Sequence, residues 1–170
     1  PGTDYVMYVI GLKADGTYTT GAFTSEFKTV ADKESKVSLS VEMRGATYEQ
    51  YYPGQLTYTI FTFANPVDEA ETIYGKIFQG TDEWADKSAA EILSELTKDE
   101  NKSNYASYWR TYVDWTNEGV KFYVYSIGYD TDGLSTDIIK CSHTGKLSEC
   151  GQNYDFEDVT FDKTETISVR

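Results

Sequence analysis

Apolar and polar residues alternate along much of the chain, and this rhythm predicts strands. Val37, Leu39, Val41 and Met43 alternate with Ser38, Ser40, Glu42 and Arg44. A period of two marks a half-buried strand. Residues 56–64 read as a second strand, apolar on both faces near Phe61 and Phe63. Asn65-Pro66 ends it, because proline has no N–H for the ladder. Residues 71–78 form a third, carrying Ile73, Tyr74 and Ile77, and Tyr51-Tyr52-Pro53-Gly54 is a turn between the first two. Val159, Phe161, Ile167 and Val169 sit among polar neighbours near the C-terminal end, again as strands. The rhythm changes once. Ser88-Ala89-Ala90-Glu91 fits a capping box, and Ile92, Leu93 and Leu96 follow at helical spacing. The pattern predicts one short helix near 88–97, with Trp84 stapling its start onto the sheet and a polar, mobile loop over 98–103.

One hairpin occurs twice. Residues 1–20 and 118–137 align without a gap. Gly2 matches Gly119, Tyr8 matches Tyr125, Ile10 matches Ile127, and Gly11 matches Gly128. Asp15-Gly16 and Thr19 fall on Asp132-Gly133 and Thr136, and Tyr5 falls on Phe122. Each copy runs from an aromatic-rich extended segment into Asp-Gly. That pair favours a tight turn, because glycine takes a positive φ without a side-chain clash. Two copies of a hairpin imply two related β units.

Pro1-Gly2-Thr3-Asp4-Tyr5 resembles the P-G-T-x-Y opening of the penultimate strand in fibronectin type III domains. The continuation Tyr-x-x-Gly-x-x-x-Asp-Gly, closed by Phe23-Thr24 and Phe27-Lys28-Thr29, is similar to repeats of Bacteroidetes surface lipoproteins. The second copy departs from this pattern, with Glu118-Gly119-Val120 for Pro-Gly-Thr and Phe122 for the tyrosine. The tyrosine of such domains turns a corner through its hydroxyl, which Phe122 lacks.

The resemblance implies an all-β fold: a fibronectin type III/immunoglobulin-like antiparallel β-sandwich with one short inserted helix and an extra N-terminal β-hairpin. A sandwich of this kind needs about seven strands, and residues 1–29 supply only the last two. The implied organisation has three parts. Residues 1–32 are the terminal hairpin of a truncated preceding sandwich. Residues 33–153 are a complete sandwich with the helical insertion, after a charged linker at 33–36. Residues 154–170 are the opening strands of a further or shared domain, paired with the N-terminal hairpin or with a neighbour's edge.

Composition narrows the function classes. The net charge is −13, and phosphate backbones or anionic membranes need basic patches that such a chain lacks. Nucleic acid is therefore excluded as a partner, and no apolar run approaches a membrane span. Tyrosine is in excess at 15 copies, beside 8 Phe and 3 Trp, which suits half-buried pleated surfaces. The group Trp84, Tyr105, Tyr108, Trp109, Tyr112 and Trp115 has two readings. Alternate members cover the core and helix, or the faces of Trp84, Tyr105, Tyr108, Trp109 and Trp115 form a ligand-stacking strip.

Catalytic and metal chemistry finds little support. His143 is the sole histidine, near Cys141 and without a nucleophile motif, and reads as an exposed loop residue. The spacing C-x8-C of Cys141 and Cys150 fits no zinc or thioredoxin pattern. An even pair is compatible with one disulfide in an oxidising compartment and with two free thiols, and the sequence leaves both open. Asp130-Thr131-Asp132-Gly133 with Asp137 matches part of a calcium loop, but Asp-Gly serves turn geometry in both hairpins. No cofactor or metal is expected. Glu83 with Asp86, or Glu157 with Asp158, would serve glycoside hydrolysis only if two carboxylates converged across a cleft.

The expectation is a non-catalytic, extracellular or cell-surface module, a spacer or protein-interaction domain in a larger multi-repeat lipoprotein. The resemblance implies anchoring through a lipid attachment region outside these residues, and edge strands offer pairing between copies. The alternative is a carbohydrate-binding module of a glycan-uptake system, and a hydrolase using paired carboxylates comes last.

Overall fold

A computed structural model describes residues 4–19, 21–28, 34–48, 58–64, 67–103, 108–113, 119–152 and 154–169. The chain divides into two compact units, Pro1–Glu34 and Ser35–Arg170.

The first unit is one antiparallel hairpin, β1 (Asp4–Val9) and β2 (Phe23–Lys28), with Tyr5 opposite Phe27 and Val9 opposite Phe23. Its turn closes as the Asp-Gly pair predicts. Gly16 has φ +79°, and its N–H donates to the Lys13 carbonyl at 2.9 Å.

The second unit begins with β3 (Ser38–Leu39), β4 (Glu42–Tyr48), β5 (Tyr58–Ala64), β6 (Val67–Asp68) and β7 (Thr72–Gln79). Helix α1 (Ala89–Leu96) follows, then β8 (Tyr108–Val113), β9 (Lys121–Tyr129), β10 (Ile138–Thr144), β11 (Glu157–Val159) and β12 (Lys163–Ile167). Two four-stranded sheets result, ordered β11-β4-β5-β8 and β12-β10-β9-β7, with β3 and β6 as a short separate pair. Every ladder is antiparallel. This is an all-β sandwich with one inserted helix.

The core has two layers because β9 is apolar on both faces. Phe122 and Val124 turn toward Met43, Phe61 and Phe63 of the other sheet. Tyr125 and Ile127 turn the opposite way, under Trp84 and the α1 residues Ile92 and Leu96. Alternate strand residues point to opposite faces, so a strand covered on both sides reads as a near-continuous apolar run. Each such side chain contributes roughly 1.5–3 kcal/mol when fully buried.

Helix α1 starts where the capping box predicts. Ser88 Oγ accepts from the Glu91 amide at 3.4 Å, and Glu91 Oε2 accepts from the Ser88 amide at 2.8 Å. After it, the expected mobile loop is instead a 3₁₀ turn at Asp99–Asn101. Asn101 is buried, and its side-chain amide donates to the Glu95 carbonyl at 2.9 Å, satisfying a carbonyl at the helix end.

Two further expectations are corrected. The strand expected from Val37 to Arg44 is broken between β3 and β4, each with a different partner. The strands within residues 157–167 pair inside the second unit rather than with the N-terminal hairpin or a neighbour's edge. β11 pairs with β4 and β12 with β10, adding one strand to each sheet. Val159 is buried in the inter-sheet core with Phe161 packed against it, and the partly buried Ile167 and Val169 pack against the layer beneath α1, so this apolar set packs within the second unit. The expected turn at 51–54 and stop at 65–66 fall outside the described residues.

Candidate functional site

The aromatic group does not assemble into an exposed strip at the position where it can be followed. Trp84 is 6% exposed, its ring edge-on to Phe78 at 4.9 Å and to Tyr125 at 5.0 Å. A ring covered in this way cannot stack on a ligand, so Trp84 is a core residue. Tyr105 and Trp115 lie outside the described residues. Tyr108, Trp109 and Tyr112 belong to β8, of which the backbone alone is described: Trp109 pairs with Phe63 and Tyr108 with Ala64.

Beneath Trp84 the outer face of β9 and β10 carries a polar network that sequence reasoning missed. The Tyr125 hydroxyl donates to Asp82 at 2.9 Å, and Lys140 Nζ holds the other Asp82 oxygen at 2.7 Å. Lys140 also lies 5.2 Å from the Tyr125 ring centre. The Trp84 amide also donates to Asp82 at 3.1 Å, and the Asp82 side chain is 6% exposed, so three donors satisfy a carboxylate with little access to water. The cross-strand pair Lys140–Tyr125 was the available signal, but Asp82 arrives from a turn that no periodicity reveals.

His143 is corrected from an exposed loop residue to a fully buried residue of β10. The odd-numbered residues of this strand face the inter-sheet core, so Cys141 and His143 share that face. The imidazole stands edge-on to Phe61 at 6.2 Å, with Nε2 2.8 Å from Glu149 Oε2. Nδ1 faces Asp162 Oδ1 at 3.4 Å without a hydrogen bond. Among the described residues no serine or cysteine is bonded to either ring nitrogen; the imidazole lies between Glu149 of the 147–149 turn and Asp162 of the β11–β12 connection.

Cys141 and Cys150 are free thiols, so the disulfide alternative is not realised. Cys141 Sγ lies 3.6 Å from the Thr164 hydroxyl, and Cys150 Sγ donates to the Lys146 carbonyl at 3.6 Å. The sulfurs are thus engaged with different strands and turns.

Asp130 is occupied by its own turn. Its carboxylate accepts from the amides of Asp132 at 3.0 Å, Leu134 at 2.9 Å and Lys36 at 3.3 Å. Burial pushes this carboxyl up, but those amides together hold it below the usual carboxylate range. Among the described residues, no group of three or more His, Cys, Asp or Glu side chains is placed to hold a metal ion. Glu157 and Asp158 are adjacent in β11 and point to opposite faces, and Asp158 bonds Arg44 at 2.8 Å. Glu83 and Asp86 are exposed on the turn before α1.

The most exposed apolar surface is on the first unit. Tyr5, Val6, Met7, Tyr8, Val9 and Ile10 are all about half exposed or more, with Tyr8 at 69% and Phe23 at 80%. The two hairpins have the same internal geometry. Leu12 bridges Tyr18 as Tyr129 bridges Ser135. Lys13 donates to Thr17 at 2.8 Å as Asp130 does to Leu134 at 3.0 Å. Thr19 donates to Gly11 at 2.8 Å as Thr136 does to Gly128 at 2.9 Å. Past the turn, Tyr8 faces Thr24 while Tyr125 faces Lys140, so the first copy has one extra residue before its second strand. The β9 counterparts of Tyr5, Met7, Tyr8 and Ile10 are Phe122, Val124, Tyr125 and Ile127, all fully buried.

No helix among the described residues is long and apolar enough to cross a membrane. No protein-family model, curated protein or solved structure matches the chain.

Proposed function

We propose that the chain is a non-catalytic β-sandwich module of a multi-repeat extracellular or cell-surface lipoprotein. Its first unit is an interaction element that docks on the strands of another sandwich. The strand order supports the fibronectin type III/immunoglobulin-like reading. β4, β5 and β8 stand where strands A, B and E do in such folds, and β7, β9 and β10 where C, F and G do. β11 and β12 are additions to that plan.

The observation that carries the proposal is the mismatch between the two hairpins. β1 is apolar on both faces and exposed, while its counterpart β9 is apolar on both faces and buried. An isolated two-stranded hairpin is marginal in water, and unpaired strand edges recruit further strands. A neighbouring sandwich supplies both an edge to pair with and apolar layers for each face.

Sedimentation velocity and amide hydrogen exchange on the full chain test this, with the edge strands of a second copy as the probe. The expected result is concentration-dependent association, with protection growing over residues 4–9 and 23–28. The double variant Met7→Lys, Tyr8→Glu, which places a charge on each face, remains monomeric. A hairpin that exchanges freely in a monomer at every concentration overturns the proposal.

A further inference from the structure

A cleft of about 460 Å³, open to solvent, lies where the start of β7, the end of α1 and the β9–β10 turn approach one another. Its volume falls within the roughly 300–1,000 Å³ of small-molecule sites. Tyr74 and Tyr129 form its apolar part, edge-to-face with ring centres 5.9 Å apart, and both are half-buried. Glu71, Thr72, Thr97 and Thr131 form its polar part, beside the turn residues Asp130 and Gly133. Among the described residues lining it, none is cationic.

The turn that frames the cleft is rigid, because the Asp130 carboxylate is spent on three backbone amides. The Thr97 hydroxyl donates to the Leu93 carbonyl at 2.8 Å, so the groups that face the cleft for a ligand are the two phenol rings, the Thr72 and Thr131 hydroxyls and the exposed Glu71 carboxylate. Burial, and then the neighbouring Tyr74, push the Tyr129 hydroxyl up, against a bond with Ser135 that lowers it.

The first hairpin serves as an internal control. There the same turn closes with Leu12, Lys13 and Ala14 in place of Tyr129, Asp130 and Thr131. Turn geometry therefore requires neither the aromatic ring nor the threonine.

We propose that this cleft binds a neutral saccharide, with a sugar face stacked on the Tyr129 ring beside the perpendicular Tyr74 ring and its hydroxyls bonded to Glu71, Thr72 and Thr131. A sugar ring alternates a C–H face with a hydroxyl rim, which is the alternation that the cleft presents. An apolar ligand would leave the Glu71 carboxylate and the hydroxyls without partners, at a cost in affinity. An anionic ligand would meet Glu71 and a chain of net charge −13. This site belongs to the second unit and goes beyond the docking role of the hairpin.

Isothermal titration of the full chain with cello-, malto-, xylo- and manno-oligosaccharides tests the proposal, with polygalacturonate as the anionic control. At least one neutral oligosaccharide is expected to bind at millimolar concentration or below. Tyr129→Leu should weaken it about tenfold, the loss of one stacking ring. Glu71→Gln and Thr131→Ala, both at exposed positions, should weaken it severalfold while leaving the melting temperature unchanged. Met7→Lys, Tyr8→Glu should bind normally, which separates this site from the hairpin. Absence of binding across the neutral panel, binding of polygalacturonate alone, or affinity unchanged in all three cleft variants overturns it.

Discussion

His143 holds Glu149 at 2.8 Å from a position with no solvent exposure, while Lys146 Nζ bonds the other Glu149 oxygen at 2.9 Å. Burial pushes the Glu149 carboxyl up, but the Lys146 and His143 bonds outweigh it and hold the carboxyl below its ordinary value of 4.5. Asp162 is likewise held below 3.8: burial raises it, and the Thr144 amide at 2.7 Å is the foremost opposing influence. A folded-state value below the unfolded one means that the stabilisation is complete above the unfolded value. It is lost as pH falls through the folded one. The second unit should therefore weaken in acid below about pH 4.5. Glu149→Gln should cost about 1–3 kcal/mol at neutral pH and flatten part of the acid dependence. Urea melts of both proteins at neutral and acid pH check this. Parallel pH profiles would show that Glu149 is not the group responsible.

The Tyr125–Asp82–Lys140 network gives the opposite sign. Burial, together with the bond to Asp82, pushes the Tyr125 phenol up to about 12 from an ordinary 10.0. Burial lowers Lys140, but its bonds to Asp82 and Tyr125 outweigh that and raise it overall. A raised folded-state value gives stabilisation that is whole below the unfolded value and declines as pH climbs toward the folded one. Tyr125→Phe removes the hydroxyl donated to a nearly buried carboxylate and should cost about 1–3 kcal/mol at neutral pH. The stability gap between the two proteins should shrink as the pH rises from 10.0 to about 12. A gap that stays constant over that range would place the loss in packing rather than in the hydroxyl.

Local signals made the elements legible, and long-range encounters were hidden. Ser88 and Glu91 announced α1 because a capping box is a property of four adjacent residues. The Asp-Gly turns were readable for the same reason, and the aligned glycines carried the relation between hairpins through to matching hydrogen bonds. Alternation located β7 and β12 but could not say which sheet receives which strand. Residues 157–167 read equally well as the start of another domain. His143 looked exposed because its neighbours Ser142 and Thr144 are polar. On a strand those neighbours face the other way, and Phe61, which covers the ring, lies far off in sequence. The Tyr74–Tyr129 cleft was illegible because its two rings meet only through the β7–β9 pairing.

Gly45 is a packing constraint, not a flexible joint. A Cβ there would stand 2.6 Å from Cys150 Sγ, 3.1 Å from a Phe61 ring carbon and 3.2 Å from a Val159 methyl. Gly45→Ala should destabilise the second unit by about 1–3 kcal/mol through overpacking. Cys150→Ala removes the closest of the three atoms, so the double variant should recover part of the loss. A double-mutant cycle by urea denaturation reads that coupling. Strict additivity would mean that Phe61 and Val159 alone set the limit.

The two thiols should be slow in the native protein for related but separable reasons. Burial pushes Cys141 up, partly countered by the Thr164 hydroxyl, and its sulfur is closed off in the core. Cys150 is only half-buried, but burial and then the Glu149 charge push it up to about 11. At neutral pH that leaves about one thiolate in ten thousand at Cys150, and the thiolate is the reactive form. A chromogenic thiol reagent should therefore label neither residue quickly until the chain is unfolded, when both react. Glu149→Gln removes the adjacent negative charge and should speed Cys150 while leaving Cys141 unchanged. Peptide mapping of the labelled protein separates the two sites. Equal acceleration at both would mean that the substitution had loosened the core. Fast labelling of native Cys150 would mean that its sulfur is not held as the Lys146 carbonyl and Gly45 contacts require.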